Sequence, residues 1–200
     1  MALEGRNLSF RYGESWLLKN EELRIEAGEI VGLVGPSGSG KSTLARLLAG
    51  HERLQEGSVV VNGSPLPARG RNPVQMVVQH PEQAVNPRWK LRRTLLEGGT
   101  PDESLLIGLG IEPEWLDRFP NELSGGELQR ICVARALGPG TRYLIADEMT
   151  TMLDAITQAQ IWQTVLGWAA RRGAGILVIS HERQLILRLC SRVVERGARL

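Results

Sequence analysis

The chain has 200 residues, of which 42% are hydrophobic and 23% charged. That balance excludes a disordered or fibrous chain and suits one globular domain with a sizeable core. Lys and Arg number 24 against 22 Asp and Glu, a net charge of +2 with the signs interspersed, which argues against a nucleic-acid footprint or a polybasic membrane tether. The longest apolar runs, such as Ile176 to Ile179, fall far short of the ~20 residues that cross a bilayer. The opening MALEGRNLSFRYG also lacks the apolar core of a secretory signal.

In chain order, Leu3 to Tyr12 and Trp16 to Ile25 alternate apolar and polar residues, the pattern of antiparallel strands with one solvated face. After a Gly28 turn, Glu29 to Gly35 (EIVGLVG) predicts a short buried strand, then a glycine-rich loop, then a helix through Thr43 to Leu48. Ser58 to Val61 and Val74 to Val78 are further strands, the first closed by an Asn62-Gly63 turn. From about Pro87 to Leu137 helical periodicity replaces the strand signals. Within that stretch, Thr100-Pro101-Asp102-Glu103 has the form of a capping box. Strands return at Leu144 to Ala146 and Ile176 to Ile179, separated by a long helix over Ala155 to Arg171. The alternation predicts an α/β domain with a buried parallel sheet, interrupted by a helical insert at about 87–137. Cys132 and Cys190 have no metal or redox spacing and read as reduced, mostly packed thiols.

Gly35-Pro36-Ser37-Gly38-Ser39-Gly40-Lys41-Ser42-Thr43 fills every fixed position of G-x-x-x-x-G-K-[ST], after a strand and before a helix. Small residues let the backbone wrap phosphates closely with its N–H groups turned inward, and the helix N-terminus adds positive potential. Lys41 supplies a full charge toward the β- and γ-phosphates, and the Ser42 hydroxyl suits Mg²⁺. The apolar run Leu144 to Ala146 ends in Asp147-Glu148. Unpaired carboxylates at the end of a buried strand are costly, so they need a task. Asp147 would help hold Mg²⁺, and Glu148 would polarise an attacking water as general base.

Between these motifs lies Leu123-Ser124-Gly125-Gly126-Glu127, continued by Gln129-Arg130. With it the chain resembles the ATP-binding subunits of ABC transporters, in motif order and over essentially its whole length. The resemblance implies a P-loop NTPase core with a mainly parallel sheet, an N-terminal antiparallel β-subdomain and an inserted α-helical subdomain. It implies ATP and Mg²⁺, and a head-to-tail dimer in which Ser124, Gly125, Gly126 and Glu127 face the nucleotide of a second ATPase subunit, identical or different. Tyr12 matches the aromatic that stacks on adenine. Gln79 matches the glutamine that senses Mg²⁺ and couples to the membrane partner. Asp154 matches the inter-subunit loop aspartate, and is equally placed to cap the following helix. His181 matches the histidine that contacts the γ-phosphate and orients Glu148.

The pattern departs at Met149, where a proline is usual, and at Glu127, where glutamine is commoner. The chain also stops at Leu200, where many importer subunits continue. Gln79-His80-Pro81, Asn86-Pro87 and Met152 to Trp162 resemble subunits serving dipeptide, oligopeptide and nickel importers. That implies separate transmembrane permease subunits, a solute-binding protein, and a peripheral place on the cytoplasmic face of the membrane. Arg88, Lys90, Arg92 and Arg93 would then face the permease or form a solvated basic face. An exporter ATPase shares the same fold. The head of a DNA-maintenance ATPase shares the motifs, but separates its halves by a long coiled coil. Only roughly eighty residues lie between Lys41 and Ser124, without sustained heptads.

Overall fold

The structure is a computed structural model that describes residues 1–197. Its strands are β1 (Ala2–Tyr12), β2 (Ser15–Glu26), β3 (Ile30–Val34), β4 (Glu56–Val61), β5 (Ser64–Pro65), β6 (Val74–Val77), β7 (Tyr143–Asp147), β8 (Gly175–Ile179) and β9 (Arg192–Glu195). The helices are α1 (Lys41–Leu48), α2 (Leu91–Leu96), α3 (Glu103–Gly108), α4 (Gly125–Ala136), α5 (Ala155–Arg172) and α6 (Arg183–Leu189).

The strands form two sheets. The first is antiparallel, in the order β2-β1-β4-β5. Its β4–β5 turn is Asn62-Gly63, with φ of 53° and 80°, the left-handed pair that a two-residue hairpin needs. The second has five strands in the order β6-β7-β8-β3-β9, every neighbouring pair parallel. Strands β7 and β8 are buried at every position, which is why they read as unbroken apolar runs.

The period-two alternation of these strands divides the interior into two cores. Leu33, Ile145, Leu177 and Ile179 face one way, onto α1 (Leu44, Leu47, Leu48) and the apolar face of the antiparallel sheet (Leu3, Leu8, Phe10). Leu144, Ala146, Ile176 and Val178 face the other way, onto the residues of α2, α4 and α5, including Leu91, Ile131, Trp162 and Trp168. Among the described residues, 87–137 contribute helix and turn and no strand.

Some local outcomes differ from the sequence pattern. Helix α3 begins only at Glu103, and its N-cap Asp102 makes no side-chain bond to the helix backbone. Instead Asp102 Oδ2 accepts from Arg172 on α5 at 3.2 Å, and Thr100 lies outside the helix. Val78 leaves the sheet one residue earlier than its apolar character suggests, because its carbonyl is taken by a side chain of α4. Strand β9 and helix α6 carry too few periodic residues to be predicted. Burial pushes the thiols of Cys132 and Cys190 up to about 11, so both stay protonated.

Candidate nucleotide site

Strands β3, β6, β7 and β8 run in the same direction, so the segments leaving their C-terminal ends meet at one edge of the sheet. That edge is where open α/β sheets bind ligands. A cavity of about 300 Å³ lies there, lined by Leu17, Ser37, Gly38, Gly40, Lys41, Ser42, Thr43, Gln79, Asp147, Glu148, Ile179 and His181. Residues far apart in sequence are thus gathered by topology alone.

The glycine-rich loop turns sharply after β3. Gly38 and Gly40 have φ of 77° and 89°, conformations that favour glycine. At Gly40, the N-cap of α1, an added Cβ would also press on Leu17 and Leu18 at 3.1 Å. The Lys41 side chain is buried, and its ammonium donates to the carbonyls of Gly35 (2.8 Å) and Pro36 (2.9 Å). It closes the loop on itself, and the same positive group borders the cavity. Ser39 is turned away: it is buried, its hydroxyl is without a partner among the described residues, and it lines a neighbouring cavity with Trp16, Lys19 and Arg196.

The carboxylates of Asp147 and Glu148 differ in setting. Asp147 ends β7, and its Oδ1 is buried without a hydrogen-bond partner. Burial, and secondarily the charge of Glu148, push its carboxyl above the ordinary value, while the Ser42 hydroxyl pulls the other way. Glu148 stands at φ 52°, a left-handed conformation that costs a residue with a side chain about 1–3 kcal/mol. Its N–H donates to Ile179 O at 3.0 Å, which ties the residue to the end of β8. Its Oε2 accepts from the Thr151 hydroxyl. Its Oε1, buried and without a hydrogen bond, has His181 Nε2 at 3.4 Å, an ion-pair distance rather than an aligned bond. His181 itself is exposed. A strained acid with a free oxygen aimed at an open imidazole is an arrangement suited to handling a water and its proton.

The raised carboxyl of Asp147 has a stability consequence. A proton held more tightly in the folded than in the unfolded chain favours folding below the unfolded pKa. That contribution is lost as pH rises through the folded value. Near neutral pH the ionised group therefore opposes folding of the nucleotide-free chain. Asp147→Asn is expected to raise the apo melting temperature by ~2–4 °C near neutral pH, the shift that ~1 kcal/mol gives a chain of this size. The gain should vanish below the ordinary carboxylate range, and thermal melts at the two pH values check it.

Other residues singled out in the sequence lie outside this cavity. Tyr12 is exposed, stands edge-on to Phe10 with ring centroids 4.8 Å apart, and lines a separate depression with Gly13, Arg53 and Leu54. Ser124 caps α4 in a reciprocal box. Its N–H and hydroxyl both donate to Glu127 Oε2 (2.7 and 2.8 Å), and Glu127 N donates to Ser124 Oγ (3.3 Å). These bonds, the backbone one first, hold the Glu127 carboxyl below its ordinary value. A Cβ at Gly126 would lie 3.2 Å from Leu153 Cδ2, so the start of α4 abuts the loop before α5. Asp154 does cap α5: its Oδ1 accepts from Ile156 N and Thr157 N, each at 3.0 Å. Arg93 stacks over Trp89 at 3.6 Å and Arg92 reaches Asp117 at 3.4 Å, while Arg88 and Lys90 are exposed.

The structure adds residues that the motifs did not single out. Leu17 and Ile179 form apolar walls of the cavity, and no local pattern distinguishes them from other strand residues. Thr151 could have been suspected, since a residue three beyond Glu148 in a turn comes back beside it (Thr151 N donates to Glu148 O at 3.3 Å).

A parallel sheet with a glycine-rich phosphate loop, paired acids and a serine-capped helix set to one side define an ATPase of the cassette type. The ABC transporter family profile matches residues 18–151, and the chain belongs to that family. It is 38% identical over 197 residues to the nickel import ATP-binding protein NikE of Rhodospirillum rubrum, covering 89% of this chain and 71% of that protein. It is 37% identical over 197 residues to NikE of Escherichia coli K12, covering 89% and 74%. Among solved structures it is similar to an ATP-binding subunit of an ABC transporter, with a TM-score of 0.85 at 25% identity over 98% of this chain and 86% of that one. The ATP-binding cassette MJ0796, solved as a dimer bound to ADP and Pi, shares the fold at a TM-score of 0.82 and 24% identity, covering 99% and 97% of the chains.

Proposed function

We propose that the chain binds MgATP in the cavity at the edge of its parallel sheet, and that it hydrolyses ATP as one of two ATPase subunits that drive solute import through separate transmembrane permeases. The observation that carries this reading is the convergence of Lys41, Ser42, Gln79, Asp147, Glu148 and His181 on one cavity, with the Ser124–Gly126 cap outside it. The loop from Gly35 to Thr43 would hold the phosphates, Lys41 exchanging its carbonyl contacts for phosphate oxygens. Tyr12, exposed in a separate depression, would stack on adenine. The Ser124–Gly126 segment, which does not line its own chain's cavity, would complete the cavity of a second subunit. Asp154 would lie at that junction. Residues 87–137 form, in this reading, the helical insert that carries the segment.

The donors present suit magnesium, a hard ion that takes oxygen ligands and keeps several waters. Asp147 offers a buried oxygen without a partner, close to the Ser42 hydroxyl. Bound there, the ion would offset phosphate charge. Ser42, Gln79 and Asp147 would hold it, and Glu148 and His181 would be left to orient water and carry its proton.

The NikE relatives favour nickel or a nickel chelate as the solute over a peptide, with a solute-binding protein delivering it and the ATPase on the cytoplasmic face. No helix among the described residues is long and apolar enough to cross a membrane. The test is phosphate release by the complex purified with its permeases. Turnover should rise with a nickel-loaded binding protein and stay flat with a dipeptide-loaded one. Stimulation by the peptide alone would overturn the nickel assignment, and stimulation by neither would overturn the importer reading.

A further inference from the structure

Gln129 lies on α4 five residues beyond Ser124 and is buried. Its single side-chain nitrogen, Nε2, donates to two backbone carbonyls: Val78 O at 3.0 Å and Met149 O at 2.7 Å. Val78 immediately precedes Gln79, and Met149 immediately follows Glu148. The two segments leave the sheet side by side, because Val77 pairs with Ala146 at the ends of β6 and β7. One carboxamide thus ties together the segments that carry both residues. A flipped amide would set Oε1 against two carbonyl oxygens, so the donor assignment follows from the contacts.

The helix itself is held on its other sides. Arg130 donates to Leu109 O (3.1 Å) and Gly110 O (3.3 Å) and reaches Thr157 Oγ1 (3.4 Å). Arg135 donates to Ala84 O at 2.8 Å. Ser124 is the N-cap of α4 and Gln129 lies in its second turn, both on one hydrogen-bonded helix that rises ~1.5 Å per residue. Ser124 and Gln129 therefore move as one body. Gln129 Oε1 is buried and unpartnered among the described residues, so the amide is held here by its two donations alone.

We propose that Gln129 is a positioning residue that couples the Ser124 end of α4 to this subunit's own Gln79 and Glu148. Seating Ser124–Gly126 on the partner's nucleotide then sets the segments that flank the chain's own γ-phosphate position. Each subunit reports the state of its neighbour's site to its own base. This rests on the two-subunit reading above.

Gln129→Met preserves side-chain length and removes both donations. In the complex with its permeases it is expected to leave the KM for ATP unchanged and to lower kcat by ~10-fold, the effect of losing a buried hydrogen-bonded link. The Hill coefficient for ATP should fall toward one. A residue that merely supported the fold would lower the melting temperature without changing the Hill coefficient or the turnover per folded complex. That result would overturn the proposal.

A second measurement leaves Gln129 untouched. With Lys41→Ala in this chain and a wild-type ATPase opposite it, ATP can occupy only the opposite cavity. Hydrogen exchange in the Lys41→Ala chain should then slow at residues 79–80 and 148–151 together with 124–128. Slowing at 124–128 alone overturns the coupling and leaves the two-subunit reading standing. Slowing at none of them overturns both.

Discussion

Glu148→Gln is expected to reduce ATP turnover by ~10²–10⁴-fold, the usual contribution of a positioned general base, while leaving nucleotide affinity intact. The substitution keeps the volume and the ability to accept from Thr151, and removes only the charge and the basicity. It also removes a charge that pushes the Asp147 carboxyl up. The variant should therefore be at least as stable as the parent, and a loss of rate could not be ascribed to loss of fold. ATP, bound but uncleaved, should hold the paired subunits closed. Single-turnover phosphate release with size-exclusion chromatography in ATP measures both effects. Undiminished release would remove Glu148 from the role of base and leave His181, exposed and 3.4 Å from Glu148 Oε1, as the group to examine.

The strain at Glu148 belongs to the same picture. A left-handed conformation at a residue with a side chain persists only where its surroundings impose it. Here they do: Glu148 N is tied to Ile179 O, the Thr151 hydroxyl holds Oε2, and the next carbonyl, Met149 O, is held by Gln129. The usual proline after the acid would stiffen this turn covalently. In this chain a buried methionine and a buried amide supply the restraint through packing and hydrogen bonding.

How much was legible beforehand follows the range of the interactions involved. The sharp glycine-rich turn and the helix after it were legible, since glycine spacing and a following helix are local properties. So were β7 and β8, because strands buried on both faces must be apolar throughout. The strand order, β6-β7-β8-β3-β9, was not. It depends on which runs pair, and a sequence read locally holds no pairing information. The start of α3 departs from the Thr100 capping-box pattern, and Asp102 there pairs instead with Arg172, seventy positions away. Gln129 was visible as part of a motif, but its task was not, since the carbonyls it joins come from the segments that leave β6 and β7, before and after it in the chain. Tyr12 and Asp154 illustrate a further gap: within one chain they stand outside the cavity, and only a second subunit would bring Asp154 and Ser124 to a nucleotide.

Replacing Ser124 by arginine should separate the two halves of that arrangement. Ser124 is exposed and does not line its own chain's cavity, so the isolated variant should bind ATP as the parent does. Its structural role is limited to the cap. Losing the donation from Glu127 N and the box with Glu127 should cost about 1 kcal/mol, within reach of a domain of this size. The functional loss should be much larger. A bulky cation would occupy the approach of the opposite nucleotide, and the serine hydroxyl and glycine N–H groups would no longer reach it. Removing one preorganised donor of this type costs ~10²–10³ in rate, and steric exclusion adds to that. Because Ser124 does not line its own chain's cavity, a complex with one Ser124→Arg subunit should fail at the partner's site, and the activity that remains should come from the variant's own Lys41–Glu148 cavity, itself slowed by the lost coupling through Gln129. A partner subunit carrying Lys41→Ala should then reduce the residual activity no further, whereas Lys41→Ala on the Ser124→Arg chain itself should abolish it. Equal effects of Lys41→Ala in either position would mean that each cavity works alone. The helix N-terminus would then have to be read as a cap and nothing more.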